Sequence, residues 1–292
     1  MNDSATPAST PSPTESNARL AAVLQRHGRV LVAFSGGVDS TLVLRAAVDA
    51  LGPKRVLAVT GVSASLADRE REDAVELARQ MGAPHRLLET HELENPNYAA
   101  NPANRCYFCK SELYDRLGAL AAAEGYNAIL DGTNLDDTHD LRPGRQAAQE
   151  RQVASPLVEA GLTKAEVREL SRYLGLPTWE KPEMPCLSSR IPYGTSVDPA
   201  KLRQIETAEA SLRAAGIRGG RVRYHNDVAR LELPPEDLAR LADPELRGTL
   251  VAGIRAAGFT YVTVDLEGYR KGRLNEAAAV QWRVRGPQGS TD

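Results

Sequence analysis

Seven consecutive residues, Ser35-Gly36-Gly37-Val38-Asp39-Ser40-Thr41, have the composition of a cradle for phosphate. Two adjacent glycines let the backbone turn tightly and present its N–H groups to an anion. Ser35, Ser40 and Thr41 add hydroxyl donors, and a helix starting here adds the partial positive charge of its N-terminus. Each charge-assisted hydrogen bond to a phosphate contributes about 1.5–3 kcal/mol, so a few together give useful nucleotide affinity. No Gly-Lys-Ser/Thr follows, and the Gly-x-Gly-x-x-Gly dinucleotide spacing is absent, so two common phosphate loops are excluded. A second segment, Asp131-Gly-Thr-Asn-Leu-Asp-Asp137, offers Gly132 and Thr133 to the same ligand. Asp136 and Asp137 read equally well as a capped, solvated turn.

The chain has three cysteines, and their placement carries information. Cys106 and Cys109 form a Cys-x-x-Cys pair at the start of a predicted helix, close enough to share one metal or cluster. Cys186 lies far along the chain, in Pro185-Cys-Leu-Ser-Ser-Arg190. Three thiolates suit an iron–sulfur cluster with one iron left open. They also suit zinc with a His or Asp as fourth ligand, or a redox pair beside an independent nucleophile, or three unrelated structural positions. Arg221 and Arg223 are two apart, so on a strand both point to one face and fit a nucleotide phosphate. The same spacing describes an exposed basic edge strand. Arg190, four residues after Cys186, either clamps a phosphate or pairs with a carboxylate. Trp179 reads as core.

These residues need elements to hold them. Residues 29–34 and 55–60 are continuous apolar runs, as in strands buried on both faces. Residues 85–90 and 127–131 are predicted as two further strands. Helices are expected after the Gly-rich loop to about residue 50, then over 66–81, 107–124 and 163–174, the last opened by a Thr163/Glu166 capping box. Strands alternating with helices imply a parallel α/β sheet with helices on both faces and right-handed crossovers. The pattern changes near Pro182. A helix over 198–216, strands at 221–224 and 228–233, two helices and a strand at 261–264 predict a smaller C-terminal α+β domain. The expected divisions are therefore a disordered tail over 1–17, a nucleotide-binding domain over 18–185, the α+β domain over 186–283 and a loose tail over 284–292.

Composition limits the partners. The chain has 292 residues, 42% hydrophobic and 25% charged, enough for ordinary cores in two domains. Its formal net charge of -2 advertises no general affinity for nucleic acid. No run reaches the roughly 18 apolar residues of a membrane span, and the Ser/Thr/Pro-rich start has no apolar segment of a secretory signal. A cytoplasmic setting is expected, and the odd cysteine count argues against a disulfide framework.

In strand–loop–helix context, Ser35 to Ser40 resembles the PP-loop of the adenine nucleotide α-hydrolase superfamily, whose consensus is Ser-Gly-Gly-x-Asp-Ser. That resemblance implies ATP cleaved between its α- and β-phosphates with help from Mg2+, the loop holding pyrophosphate and Asp39 supporting the metal or the loop. With Pro185-Cys-Leu-Ser-Ser-Arg-Ile-Pro-Tyr-Gly194 and Val222-Arg-Tyr-His-Asn-Asp-Val-Ala-Arg-Leu-Glu232, the chain resembles the LarE family over about residues 18–280. The segment around Cys186 is the most discriminating part.

The family resemblance implies an ATP-dependent sulfur transferase in biosynthesis of the nickel-pincer nucleotide cofactor of lactate racemase. Its substrate would be pyridinium-3,5-biscarboxylic acid mononucleotide, adenylated on a carboxylate and then converted to a thiocarboxylate. The family has two sulfur sources. In one, the cysteine matching Cys186 gives up its own sulfur and becomes dehydroalanine. In the other, three cysteines hold a [4Fe-4S] cluster; Cys106, Cys109 and Cys186 favour this type. The resemblance also assigns Arg221 and Arg223 to the substrate phosphate, Glu209 and Glu232 to a substrate or metal region, sulfide or a sulfur carrier as donor, and a homo-oligomeric assembly.

Three rivals share parts of this signature: a tRNA-thiolating PP-loop enzyme, a non-catalytic nucleotide sensor and a PP-loop amidotransferase. The net charge and the lack of a basic arm or zinc-finger cysteines count against the first. The third lacks a glutaminase domain in this chain.

Overall fold

Val30-Leu-Val-Ala33 is too apolar to face water on either side, and the chain buries it at the centre of a sheet. The computed structural model describes residues 11–139 and 143–270. In chain order the elements are α1 (Pro13–His27), β1 (Val30–Ala33), α2 (Val38–Leu51), β2 (Val56–Val62), α3 (Asp68–Gln80), β3 (His85–Glu89), α4 (Pro96–Ala99), α5 (Arg105–Glu124), β4 (Ala128–Leu130), α6 (Pro143–Glu150), α7 (Pro156–Glu159), α8 (Lys164–Tyr173), α9 (Pro199–Ala214), β5 (Arg221–His225), β6 (Val228–Glu232), α10 (Pro235–Leu238), α11 (Pro244–Ala256) and β7 (Tyr261–Val264). A 3-10 turn at Leu187–Arg190 follows Cys186.

The chain divides into two units. Of the described residues, the first takes 11–62, 68–90 and 110–184, and the second takes 63–67, 91–109 and 185–270. The expected single cut near residue 185 does not describe this division, because two earlier stretches belong to the second unit.

In the first unit, four parallel strands run in the order β3-β2-β1-β4. This is the parallel α/β fold expected of a PP-loop ATPase. β1 sends its chain to β2 on one side and has β4 on the other, so the order reverses between β1 and β4. Ligands of open α/β sheets sit at the carboxyl ends of strands at such a reversal. α2 is apolar on most of its surface and buries Leu42, Val43, Leu44, Ala46 and Ala47, because α1 and α8 both pack against it. The capping box that starts α8 is present: Glu166 N–H donates to the Thr163 hydroxyl, and the Glu166 carboxylate accepts from the Thr163 N–H.

The start of the chain corrects one expectation. Order begins before residue 17, because Ser12 and Glu15 form a second capping box and Pro13 occupies the first helical turn, where no N–H is needed. Leu20, Val23 and Leu24 then enter the core. Residues 1–10 and the expected loose tail over 284–292 lie outside the described residues.

In the second unit, β5 pairs antiparallel with β6, and β6 pairs parallel with β7. The β5–β6 turn uses Asn226 at φ +57°, a left-handed conformation that Asn tolerates better than most residues. The core beneath the sheet contains Leu212, Ile217, Val222, Leu231, Leu250 and Ile254. A second apolar cluster gathers Tyr98, Leu187, Ile191, Val197, Leu202 and Ile205, with Phe108 and Cys109 against it.

Candidate functional site

The Gly-rich loop lies at the carboxyl end of β1. Gly36 has φ +67°, and Gly37 caps α2 with no side chain in the way. The Ser35 N–H donates to the Ser40 hydroxyl (3.2 Å), the Ser35 and Ser40 hydroxyls are 3.0 Å apart, and the Gly37 N–H donates to Ser35 Oγ (3.4 Å). Val38 anchors the first helical turn in the core. The Thr41 hydroxyl is buried with no hydrogen-bond partner.

Gly132 lies directly behind this turn. A Cβ there would come within 2.8 Å of the Ser40 N atom and 3.1 Å of Asp39 Cβ. The structure therefore brings the two sequence-predicted segments together, and the contact requires glycine. Thr133 closes on Asp131, its N–H and hydroxyl donating to the two carboxylate oxygens at 3.0 and 2.7 Å. Asp136 accepts from the Lys164 N–H at 2.9 Å, and the Asp137 carboxylate accepts from Asn134, so the capped-turn reading of both aspartates holds.

Sequence reasoning missed two cations beside the loop. Lys164 Nζ is 2.5 Å from Asp39 Oδ2, and Asn134 Nδ2 donates to Asp39 Oδ1 at 3.2 Å. Lys181 Nζ donates to the Gly36 carbonyl (3.4 Å), Glu70 (2.9 Å) and Asp73 (3.3 Å). Lys164 had a readable signal, since it follows the N-cap of α8. Lys181 had none, because it sits in a Pro-rich loop.

Cys106, Cys109 and Cys186 belong to the second unit, Cys106 and Cys186 exposed and Cys109 partly so. They share a neighbourhood of two tyrosines. Burial holds the Tyr98 hydroxyl above its ordinary range, and Cys186, Cys109 and Glu92 push it further while its bond to Ser188 opposes. Burial also raises Tyr193, opposed by Arg105 and reinforced by Cys106 and Cys186. Three thiols fit an iron–sulfur group by donor chemistry. Among the described residues no group of three or more His, Cys, Asp or Glu is placed to hold a metal ion.

The arginines are buried. Arg190, 2% exposed, donates from Nε and Nη2 to the two oxygens of Glu209 at 2.8 and 3.0 Å. Its Nη1 donates to the carbonyls of Pro185 (2.6 Å) and Cys186 (3.2 Å). Of the two roles open to Arg190, carboxylate pairing is the one present, and the same guanidinium holds the Cys186 turn. Arg223 pairs with Glu232, which is fully buried and also takes Arg230. Arg223 Nη1 donates to the Ser189 carbonyl at 2.7 Å. Arg221 stacks on Tyr269 at 5.3 Å and donates to the Gly219 and Gly220 carbonyls. Burial and the charges of Arg190 and Arg223 pull its guanidinium below the usual range, with Glu209 opposing. The exposed basic edge reading of Arg221 and Arg223 is thereby overturned: both are at least nine-tenths buried. Trp179 faces the Arg172 guanidinium at 5.8 Å.

Residues 18–104 match the NAD synthase family model. The pyridinium-3,5-bisthiocarboxylic acid mononucleotide synthase of Lactiplantibacillus plantarum is 41% identical over 89% of this chain and 93% of its own length. An uncharacterised protein of Synechocystis sp. is 53% identical over 85% of this chain and 92% of its own. The tRNA-specific 2-thiouridylase of Azorhizobium caulinodans is 31% identical, over 53% of this chain and 49% of its own length.

Proposed function

Because the chain belongs to the LarE family of PP-loop synthases, an ATP-dependent sulfurtransferase, we propose that it converts a carboxylate of pyridinium-3,5-biscarboxylic acid mononucleotide to a thiocarboxylate, in biosynthesis of the nickel-pincer cofactor of lactate racemase. The observation that carries this reading is the Cys186 turn, which buried arginines hold by its own carbonyls. A cytoplasmic, homo-oligomeric protein that draws on sulfide or a sulfur carrier belongs to the same reading. No helix among the described residues is long and apolar enough to cross a membrane.

The substrate carboxylate attacks the α-phosphorus of ATP, and pyrophosphate leaves into the Ser35–Thr41 cradle. The loop N–H groups, the α2 N-terminus and the side chains of Lys164 and Lys181 stabilise the departing charge. Asp39 would hold Mg2+, its carboxylate being a donor type that suits a hard cation, and the ion when bound would help neutralise the phosphate charge. The resulting acyl adenylate is attacked at the acyl carbon by sulfur, and AMP departs, leaving the thiocarboxylate. Cys106, Cys109 and Cys186 would hold a [4Fe-4S] cluster, which when bound supplies replaceable sulfur through an open iron. In this reading Arg221 binds the substrate phosphate, since an anion there relieves the repulsion from Arg190 and Arg223.

Pyrophosphate release measured with and without the pyridinium substrate tests the reading; release that ignores this substrate but responds to tRNA, with a salt-dependent gel shift, sinks it. Gly132→Ala tests the cradle. Its methyl group must push the α2 N-terminus away from the loop, an overpacking of about 1–3 kcal/mol. ATP affinity is expected to fall about tenfold or more in calorimetry. An unchanged affinity would separate Gly132 from the nucleotide.

A further inference from the structure

Residues 98–105 run beside residues 188–197, joined by bonds that span about ninety positions of sequence. The Tyr98 hydroxyl is 2.7 Å from Ser188 Oγ. The Val197 N–H donates to the Ala99 carbonyl at 2.8 Å, and the Gly194 N–H to the Asn101 carbonyl at 3.0 Å. Asn101 is fully buried at φ +56°. Its amide nitrogen lies 3.3, 2.8 and 2.9 Å from the carbonyls of Ile191, Pro192 and Thr195. Its amide oxygen accepts from Arg105 Nη1, which also donates to the Ser188 carbonyl at 3.1 Å. Arg105 is 3% exposed and faces the Tyr193 ring at 5.8 Å. Cys106 directly follows Arg105, and Cys186 is two residues before Ser188. The Arg105–Ser188 bond is thus flanked by thiols from two distant parts of the chain.

We propose that Asn101 and Arg105 form a latch that sets the separation of Cys186 from Cys106 and Cys109, and so act as positioning residues for sulfur transfer. The proposal rests on the reading above in requiring the three thiols to work together. A reacting group displaced by about 1 Å loses on the order of a hundredfold in rate. The Cys186 turn alone cannot fix this distance, because Arg190, Glu209 and Arg223 reach it only from the C-terminal part of the chain. The 98–105 segment supplies an anchor from the earlier part of the chain, beside the bond from the Leu187 N–H to the Ser65 carbonyl at 2.9 Å.

A short bismaleimide, which adds two thiols across its two double bonds with no leaving group, measures the separation in the full reduced chain. Peptide mass mapping then gives the ratio of links from Cys186 to either partner over the local Cys106–Cys109 link. Asn101→Asp keeps shape and tolerates the left-handed backbone but replaces the amide donor by an acceptor. A packing role alone predicts the wild-type ratio. The latch predicts at least a fivefold fall, with ATP affinity kept and kcat for thiocarboxylate formation reduced at constant KM for ATP. If Asn101→Asp loses its circular dichroism, Arg105→Gln decides by the same ratio. A wild-type ratio in a folded variant overturns the latch. Iron and sulfide analysis of the wild type tests the cluster separately: a chain without iron whose link ratio still falls in the variants supports the latch and overturns the cluster.

Discussion

Cys186→Ser is expected to abolish thiocarboxylate formation, by on the order of a thousandfold or more, while pyrophosphate release in the first turnover stays within a few-fold of wild type. Serine is close in size to cysteine, and the side chain at 186 is exposed, so the turn has no packing reason to change. The carbonyls of Pro185 and Cys186, through which Arg190 grips the turn, survive the substitution. Only the sulfur is lost. The two half-reactions should therefore separate, with acyl adenylate formed and then slowly hydrolysed. Product chromatography beside a pyrophosphate assay reads both halves. Sustained thiocarboxylate production by Cys186→Ser would remove Cys186 from sulfur transfer. Intact mass of the wild type after turnover adds a second result: an unchanged Cys186 supports a replaceable sulfur, and the loss of the mass of hydrogen sulfide supports dehydroalanine.

Glu232→Ala is expected to cost about 3–5 kcal/mol of stability. Glu232 is fully buried between two guanidiniums, at 2.7 Å from Arg223 and 3.1 Å from Arg230. Its removal strands Arg223 without a carboxylate, across the β5–β6 pair from its register partner Arg230, which keeps Asp265 at 2.5 Å. A buried pair is weak evidence of stability when compared with an apolar replacement, but removing one partner strands the other. Melting followed by circular dichroism should fall by about 10 °C. Glu232→Gln retains the shape and part of the hydrogen bonding and should fall less. Equal melting of both variants and wild type would show that Arg223 finds another anion or water.

The nucleotide loop was legible because everything it needs is local: a strand, two glycines, hydroxyls and a helix start within a dozen residues. The Thr163/Glu166 box was legible for the same reason. The Ser12/Glu15 box is equally local, yet it lies in a Ser-, Thr- and Pro-rich stretch whose composition reads as disordered. The arginines were legible as types but not as pairs. Arg190 with Glu209, and Arg223 with Glu232, depend on a helix and a hairpin whose relative placement no local pattern reports. Asn101 and Arg105 left still less trace, because their acceptors are backbone carbonyls, which every residue carries. Burial of Arg221 and Arg223 on an edge strand also went against the expectation that edge charges face water.

The second unit is drawn from three stretches of chain, and this matters while the protein is being made. Residues 63–67 and 91–109 leave the ribosome before any of the residues 185–270 to which they belong. At about 5–20 residues per second, the stretch from 110 to 184 alone takes on the order of ten seconds to appear. The nucleotide-binding sheet can close in that interval, since its last strand ends at Leu130. Tyr98, Phe108 and Cys109 must wait for their apolar partners, and through that wait the nascent chain is open to oxidation and chaperone capture.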